Sequence, residues 1–151
     1  MAQRHLGTPP QTRRWYVYAD SDALTRTLSR TLLDSAAEAV AQRGAFHLVL
    51  AGGSTPRTLY RLLAQADADW HAWHIYFAVH DAPKPPPERI SLSASRLGRA
   101  RQVWFLVTGA GKREAMERWR EGEDIPAAHI RPMAGVEIHM DSEAAPSEGM
   151  A

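Results

Sequence analysis

The stretch LVLAGGSTPRTLYRLL, residues 48–63, decides how the rest of the chain is read. An apolar run stops at Gly52-Gly53-Ser54-Thr55, and Pro56 then opens a segment carrying Leu59, Leu62 and Leu63. Near-continuous apolar residues are expected of a strand buried on both faces of a parallel sheet. Proline costs least at the start of a helix, where its missing N–H would lack a partner anyway. The stretch therefore predicts strand, glycine loop and helix, the opening of a right-handed crossover unit.

The same alternation extends in both directions. Trp15-Tyr16-Val17-Tyr18 predicts a strand, and Asp20 or Ser21 can cap the helix after it. Leu24, Leu28, Leu32, Ala36 and Ala39 recur at helical spacing to about Gln42, and Gly44 supplies a left-handed stop. Residues 73–79, WHIYFAV, predict a further strand. The prolines of 83–87 predict a stiff extended segment, and 89–92 a short strand. VWFLV at 103–107 is a second buried strand that ends in the loop TGAGK at 108–112, with a helix to about Arg120. Residues 136–140 predict the last strand. Strands alternating with helices imply an α/β domain with a mainly parallel sheet flanked by helices. The organisation expected is a disordered leader at 1–14, one domain at 15–141 and a flexible tail at 142–151.

Composition narrows the function classes. The chain has 151 residues, 44% hydrophobic and 23% charged, enough for one domain with a sizeable core. A net charge of +1 gives no case for nucleic acid or an anionic membrane surface as partner. The absence of cysteine excludes disulfides and thiolate metal sites. No apolar run approaches the ~20 residues of a membrane span, and the basic N-terminus lacks the apolar core of a secretory signal. A cytoplasmic location is expected.

Both glycine loops follow a buried strand and precede a helix, the place where open α/β sheets bind ligands. Glycines let backbone N–H groups approach an anion, and a helix N-terminus adds partial positive charge. Ser54 and Thr55 contribute hydroxyls, and Lys112 a full charge. The plainer reading of either loop alone is a tight turn with a capping hydroxyl. TGAGK lacks the spacing of a nucleotide P-loop, and GGSTP lacks that of a dinucleotide fingerprint. Two such loops in one small domain favour a phosphorylated ligand.

LAGGSTPRTLYRLL, APKPPPERISLS and VWFLVTGAGKREAM resemble three segments of the 6-phosphogluconolactonase family, part of the glucosamine-6-phosphate isomerase/6-phosphogluconolactonase superfamily. The resemblance runs from about Trp15 to Asp141. It implies a Rossmann-like fold, reduced relative to full-length members. It also implies hydrolysis of 6-phosphoglucono-δ-lactone to 6-phosphogluconate in the oxidative pentose phosphate pathway, with no metal and no organic cofactor. By the same resemblance Gly52, Gly53, Ser54 and Thr55 hold the substrate phosphate, with Arg89 and Lys112 as further anion contacts. Arg57 reads as a surface residue of the helix.

The chain also departs from the family. Full-length members carry an Asp-Glu-Arg segment after the third strand and later an Asp-Gly-His segment whose His is the expected general base. Neither is present, and HIYF passes almost directly into AVHDAPKPPPERIS. The pattern implies an internal deletion with its joint near 77–78, removing the catalytic middle and keeping both phosphate loops.

Lactone hydrolysis needs a base near pH 7, so the seven histidines are the substitutes to weigh. His5 lies in the leader, and His47 reads as a core or edge residue. His71 and His74 lack an evident third ligand for a metal. His129 falls in a turn. His139 and Asp141 share a strand face and read as strand edge. His80, beside Asp81 after the third strand, is the candidate that remains, although alternation turns these two neighbours apart. The catalytic residue stays unassigned. The tryptophans read as core, with Trp119 the one open to solvent.

Three functions stand open: a lactonase acting on a phosphorylated sugar lactone, a non-catalytic domain binding a phosphosugar or sugar acid, and a truncated gene product. Removal of covering helices predicts an exposed edge near 73–79 and hence a homodimer or aggregation. The alternative is a joint that closes over a smaller sheet.

Overall fold

The computed structural model describes residues 10–51, 54–78 and 94–147. Strand β1 spans Arg13–Tyr18 and helix α1 spans Ser21–Arg43. Asp20 caps α1 by accepting the Ala23 N–H at 2.7 Å, and Gly44 closes it with φ +75° and a bond to the Val40 carbonyl. Leu24, Leu28, Leu32, Ala36 and Ala39 form its buried stripe. Strand β2 (Phe46–Ala51), helix α2 (Ser54–Ala64) and strand β3 (Trp73–Ala78) make the expected crossover unit. Helix α2 opens two residues before Pro56, and Leu59 and Leu63 are its buried leucines. The short α3 (Ala94–Leu97) leads to β4 (Val103–Val107), α4 (Arg113–Arg120) and β5 (Val136–Asp141).

Every strand pairing among the described residues is parallel, but the strands form two sheets. One has the order β1-β5-β4, and the other pairs β2 with β3 from Phe46↔Trp73 to Ala51↔Ala78. A shared core joins them in place of a backbone ladder. Phe46 and Leu48 of β2, and Trp104 and Leu106 of β4, pack on one cluster built from Leu24, Leu28, Leu32, Leu59 and Leu63 of α1 and α2. On the other face of the three-stranded sheet, Met116 and Trp119 of α4 bury Val136, Ile138 and Met140.

Trp119 is 1% exposed, which corrects the expectation that it faces solvent. Its ring meets Trp15 and Phe105 edge-on, and its Nε1 donates to Gln11 Oε1 at 3.0 Å. Gln11 in turn donates to the Ala127 carbonyl, and Arg13 to the carbonyl of Trp119. Residues 10–14 are therefore part of the packed structure, and the strand begins at Arg13, inside the span expected to be leader. At the other end Ala144 is fully buried and Ser147 bonds Glu117, so the chain packs beyond Asp141. The expected extended segment at 83–87 and strand at 89–92 lie outside the described residues.

His139 is no edge residue. β5 is the middle strand of its sheet, and His139 is 4% exposed. Its ring stacks on Tyr16 at 4.8 Å and meets Trp104 edge-on at 5.4 Å. Nε2 lies 3.2 Å from Glu137 Oε2, and Nδ1 lies 2.9 Å from the Tyr18 hydroxyl. A carboxylate only accepts, so Nε2 carries the proton and Nδ1 accepts from Tyr18. Arg14 in turn pairs with Glu137, and the buried stripe of α1 brings no charge.

Burial pushes the His139 imidazole below its ordinary 6.5, and Glu137 only partly opposes this. Burial likewise raises the Tyr18 phenol, with smaller contributions from Tyr16 and Glu137. The native state then binds fewer protons than the unfolded state below 6.5, so acid favours unfolding. This contribution to stability is complete above about pH 6.5 and shrinks as pH falls toward the lower native value. Urea unfolding between pH 8 and 5 should show His139→Gln with a flatter loss of stability than the parent. Equal slopes would remove His139 from the acid response.

Candidate active site

The C-terminal ends of β1, β2 and β4 open into one cleft. Ser21, Asp22, Thr25, Thr55, Thr58 and Thr108 line it, and its volume is about 190 Å³. Ser21 and Asp22 enter because α1 begins two residues beyond β1. Thr55 and Thr58 lie three apart in α2 and so share a helix face. Thr108 follows the last residue of β4. Its hydroxyl meets that of Thr55 at 2.9 Å, tying the first turn of α2 to the end of the other sheet. Thr25 Oγ1 donates to the Ser21 carbonyl at 2.7 Å, which fixes that side chain in the first turn of α1.

Five hydroxyl side chains and one carboxylate thus make up the described lining. Two helices start at the cleft, and their unpaired N–H groups carry partial positive charge. The carboxylate of Asp22 sits in the first turn of α1, where that dipole offsets it. Hydroxyls that both donate and accept, set between helix N-termini, suit a phosphate or a polyhydroxylated ligand.

Of the residues expected to hold phosphate, Thr55 lines the cleft and the backbone of Ser54 opens α2. Gly52, Gly53, Arg89 and the candidate base His80 lie outside the described residues. Lys112 is exposed at the end of the short helical turn Ala110–Lys112 and is absent from the described lining. The second glycine loop also departs from the expected phosphate cradle. The Gly109 N–H already donates to the Asp141 carboxylate, at 3.1 Å to Oδ1 and 3.2 Å to Oδ2. Asp141 bonds Gly109 and Ala144 while His139 bonds Tyr18 and Glu137, with no hydrogen bond between these two side chains among the described residues. Ser21, Asp22, Thr25, Thr58 and Thr108 were not singled out as site residues. The Thr55–Thr58 spacing carries a signal for one of them, whereas Ser21 reads only as a possible helix cap.

The family model described as glucosamine-6-phosphate isomerases/6-phosphogluconolactonase matches residues 19–78 and 76–139. The chain is similar to the 6-phosphogluconolactonase of Mycobacterium tuberculosis, 36% identical over 86 residues, 55% of this chain and 35% of that protein. It is similar to the probable 6-phosphogluconolactonase of Drosophila melanogaster, 30% identical over 123 residues, 80% of this chain and 49% of that protein. The chain thus spans half or less of the length of these curated relatives. Its fold matches the crystal structure of a devB protein with a TM-score of 0.73 at 19% identity, over 88% of this chain and 98% of the other. It matches a 6-phosphogluconolactonase from Shewanella baltica OS155 with a TM-score of 0.69 at 16% identity, over 87% and 98%. With two family-model segments covering most of the chain, it belongs to the glucosamine-6-phosphate isomerase/6-phosphogluconolactonase family.

Proposed function

We propose that the chain is a 6-phosphogluconolactonase-like protein that binds a phosphorylated sugar lactone or sugar acid in the threonine-lined cleft, and that its lactone hydrolysis is impaired. The carrying observation is that the two family segments meet at residues 76–78 in a chain spanning half or less of its curated relatives. This supports an internal deletion near 77–78. The strand ends and helix N-termini that build the cleft remain on either side of it.

The chemistry proposed for an intact site is attack of water on the lactone carbonyl carbon. The bond from that carbon to the ring oxygen breaks, giving a carboxylate and a freed hydroxyl. A base must take the proton from water, and an Asp-Gly-His triplet is absent from the sequence. Loss of a general base typically costs about 10²–10⁴-fold in rate. The second reading, a phosphosugar-binding domain without catalysis, is favoured if no side chain replaces that base. The reaction calls for no metal or organic cofactor, and a cytoplasmic setting is part of the proposal. Among the described residues no helix is long and apolar enough to cross a membrane.

Two measurements test this reading. Freshly made 6-phosphoglucono-δ-lactone, followed by a coupled assay for 6-phosphogluconate, should open at the rate of the enzyme-free blank. Robust turnover would contradict impairment, and its loss in His80→Ala would identify the substitute base. Separately, 6-phosphogluconate should raise the melting temperature, as a ligand selective for the native state does, and gluconate should not. Thr55→Val should weaken binding about fivefold to tenfold, the scale of one or two net hydrogen bonds. Lys112→Ala tests whether that exposed charge contributes. Equal shifts with gluconate would remove the phosphate grip.

A homodimer through β3 completes the proposal. Among the described residues β3 pairs only with β2, and Ile75 and Tyr76 on its opposite faces are 46% and 49% exposed. Such an edge offers unpaired N–H and C=O groups to another chain, and residues 73–78 contain no proline, lysine or acidic residue to blunt it. Light scattering coupled to size exclusion should find a dimer or larger species. A monodisperse monomer across a wide concentration range would contradict this.

A further inference from the structure

Asp141 ends β5 and is only 5% exposed. Oδ1 accepts the Gly109 N–H at 3.1 Å and the Ala144 N–H at 2.9 Å, and Oδ2 accepts the same Gly109 N–H at 3.2 Å. Gly109 follows Thr108, whose hydroxyl meets Thr55 across the cleft. A continuous path of contacts therefore runs from the carboxylate through the β4–α4 loop to the first turn of α2. Asp141 is absent from the cleft lining. It occupies the backbone donor that the glycine loop would otherwise present to an anion.

We propose that Asp141 is a positioning residue of the cleft: it clamps Gly109, holds Thr108 against Thr55, and so sets the affinity for the phosphorylated ligand without touching it. The affinity clause rests on the reading of the cleft as a phosphosugar site. The clamp itself rests on the hydrogen bonds alone. A buried hydrogen bond to a charged group is stronger than one between neutral groups, and losing it leaves the N–H without its partner.

The conservative variant separates positioning from charge. Asn keeps a carbonyl oxygen in the place of Oδ1, which receives both the Gly109 and Ala144 N–H groups, whereas Ala removes the acceptor. If Asp141 acted only by repelling the ligand's negative charge, both substitutions would tighten binding. If it positions the loop, only Ala disturbs the site.

The experiment uses the full chain as wild type, Asp141→Asn and Asp141→Ala. It reads the dissociation constant for 6-phosphogluconate and the amide exchange of Gly109 by NMR. Asp141→Ala should weaken binding about tenfold, the scale of the lost hydrogen bonds. It should also speed exchange at Gly109 relative to the Val136 and Ile138 amides. Asp141→Asn should stay within about twofold of wild type in binding, because it leaves the acceptor for both bonds in place. If Asp141→Ala does not fold, Asp141→Ser removes the carbonyl acceptor, keeps a polar side chain and carries the same expectation. Unchanged or tighter binding in the Ala or Ser variant overturns the proposal. So does Gly109 protection equal to wild type, whatever the ligand does. Failure of wild type to bind 6-phosphogluconate overturns the phosphosugar reading and the affinity clause together, leaving the clamp to be judged by exchange.

Discussion

Strand β5 lies between β1 and β4 and five of its six residues are buried, so its polar side chains must find partners largely away from water. Val136, Ile138 and Met140 meet that requirement against Met116 and Trp119 of α4. Glu137, His139 and Asp141 point the other way, and each is paired. Glu137 contacts Arg14 and His139, His139 accepts from Tyr18, and Asp141 takes the N–H groups of Gly109 and Ala144. A buried polar group without a partner costs on the order of 1–3 kcal/mol, so this strand dictates what its neighbours carry. The register follows the same logic, because Tyr16 is paired with His139 and Tyr18 with Asp141.

That constraint reaches the site. The last residue of β5 holds the loop after β4, the loop presents Thr108 to Thr55, and Thr55 stands in the first turn of α2. Among the described residues the two sheets share no ladder; the hydroxyl contact links their C-terminal ends, and the leucine cluster of α1 and α2 packs on β2 and β4 alike. The geometry of the cleft is a property of the core polar face as much as of the glycine loops themselves.

Local chemistry made much of this legible in the sequence. Asp20, the leucine stripe of α1 and Gly44 define one helix from cap to cap, and the FHLVL and VWFLV runs are visible as strands, although the burial expected on both faces is not met: Val49 is 40% exposed and β4 is half-buried throughout. Partners across the fold were not legible. Trp119 looks exposed beside Arg118 and Arg120, yet Gln11, more than a hundred residues away, supplies its hydrogen bond. His139 looked like an edge residue because strand order cannot be read from one strand. Asp141 read as strand edge because its partner, the Gly109 amide, carries no side-chain signal. The TGAGK loop was expected to cradle a phosphate; in the described structure its Gly109 N–H instead holds the protein's own Asp141 carboxylate.

The central claim is that the cleft between the N-termini of α1 and α2 is the phosphosugar site. An NMR titration of the full chain with 6-phosphogluconate tests it most directly. The account predicts that the largest saturable amide shifts fall on Ser21, Asp22, Thr55, Thr58 and Thr108. Saturable shifts confined to another surface, or no saturable shifts at all, would contradict it.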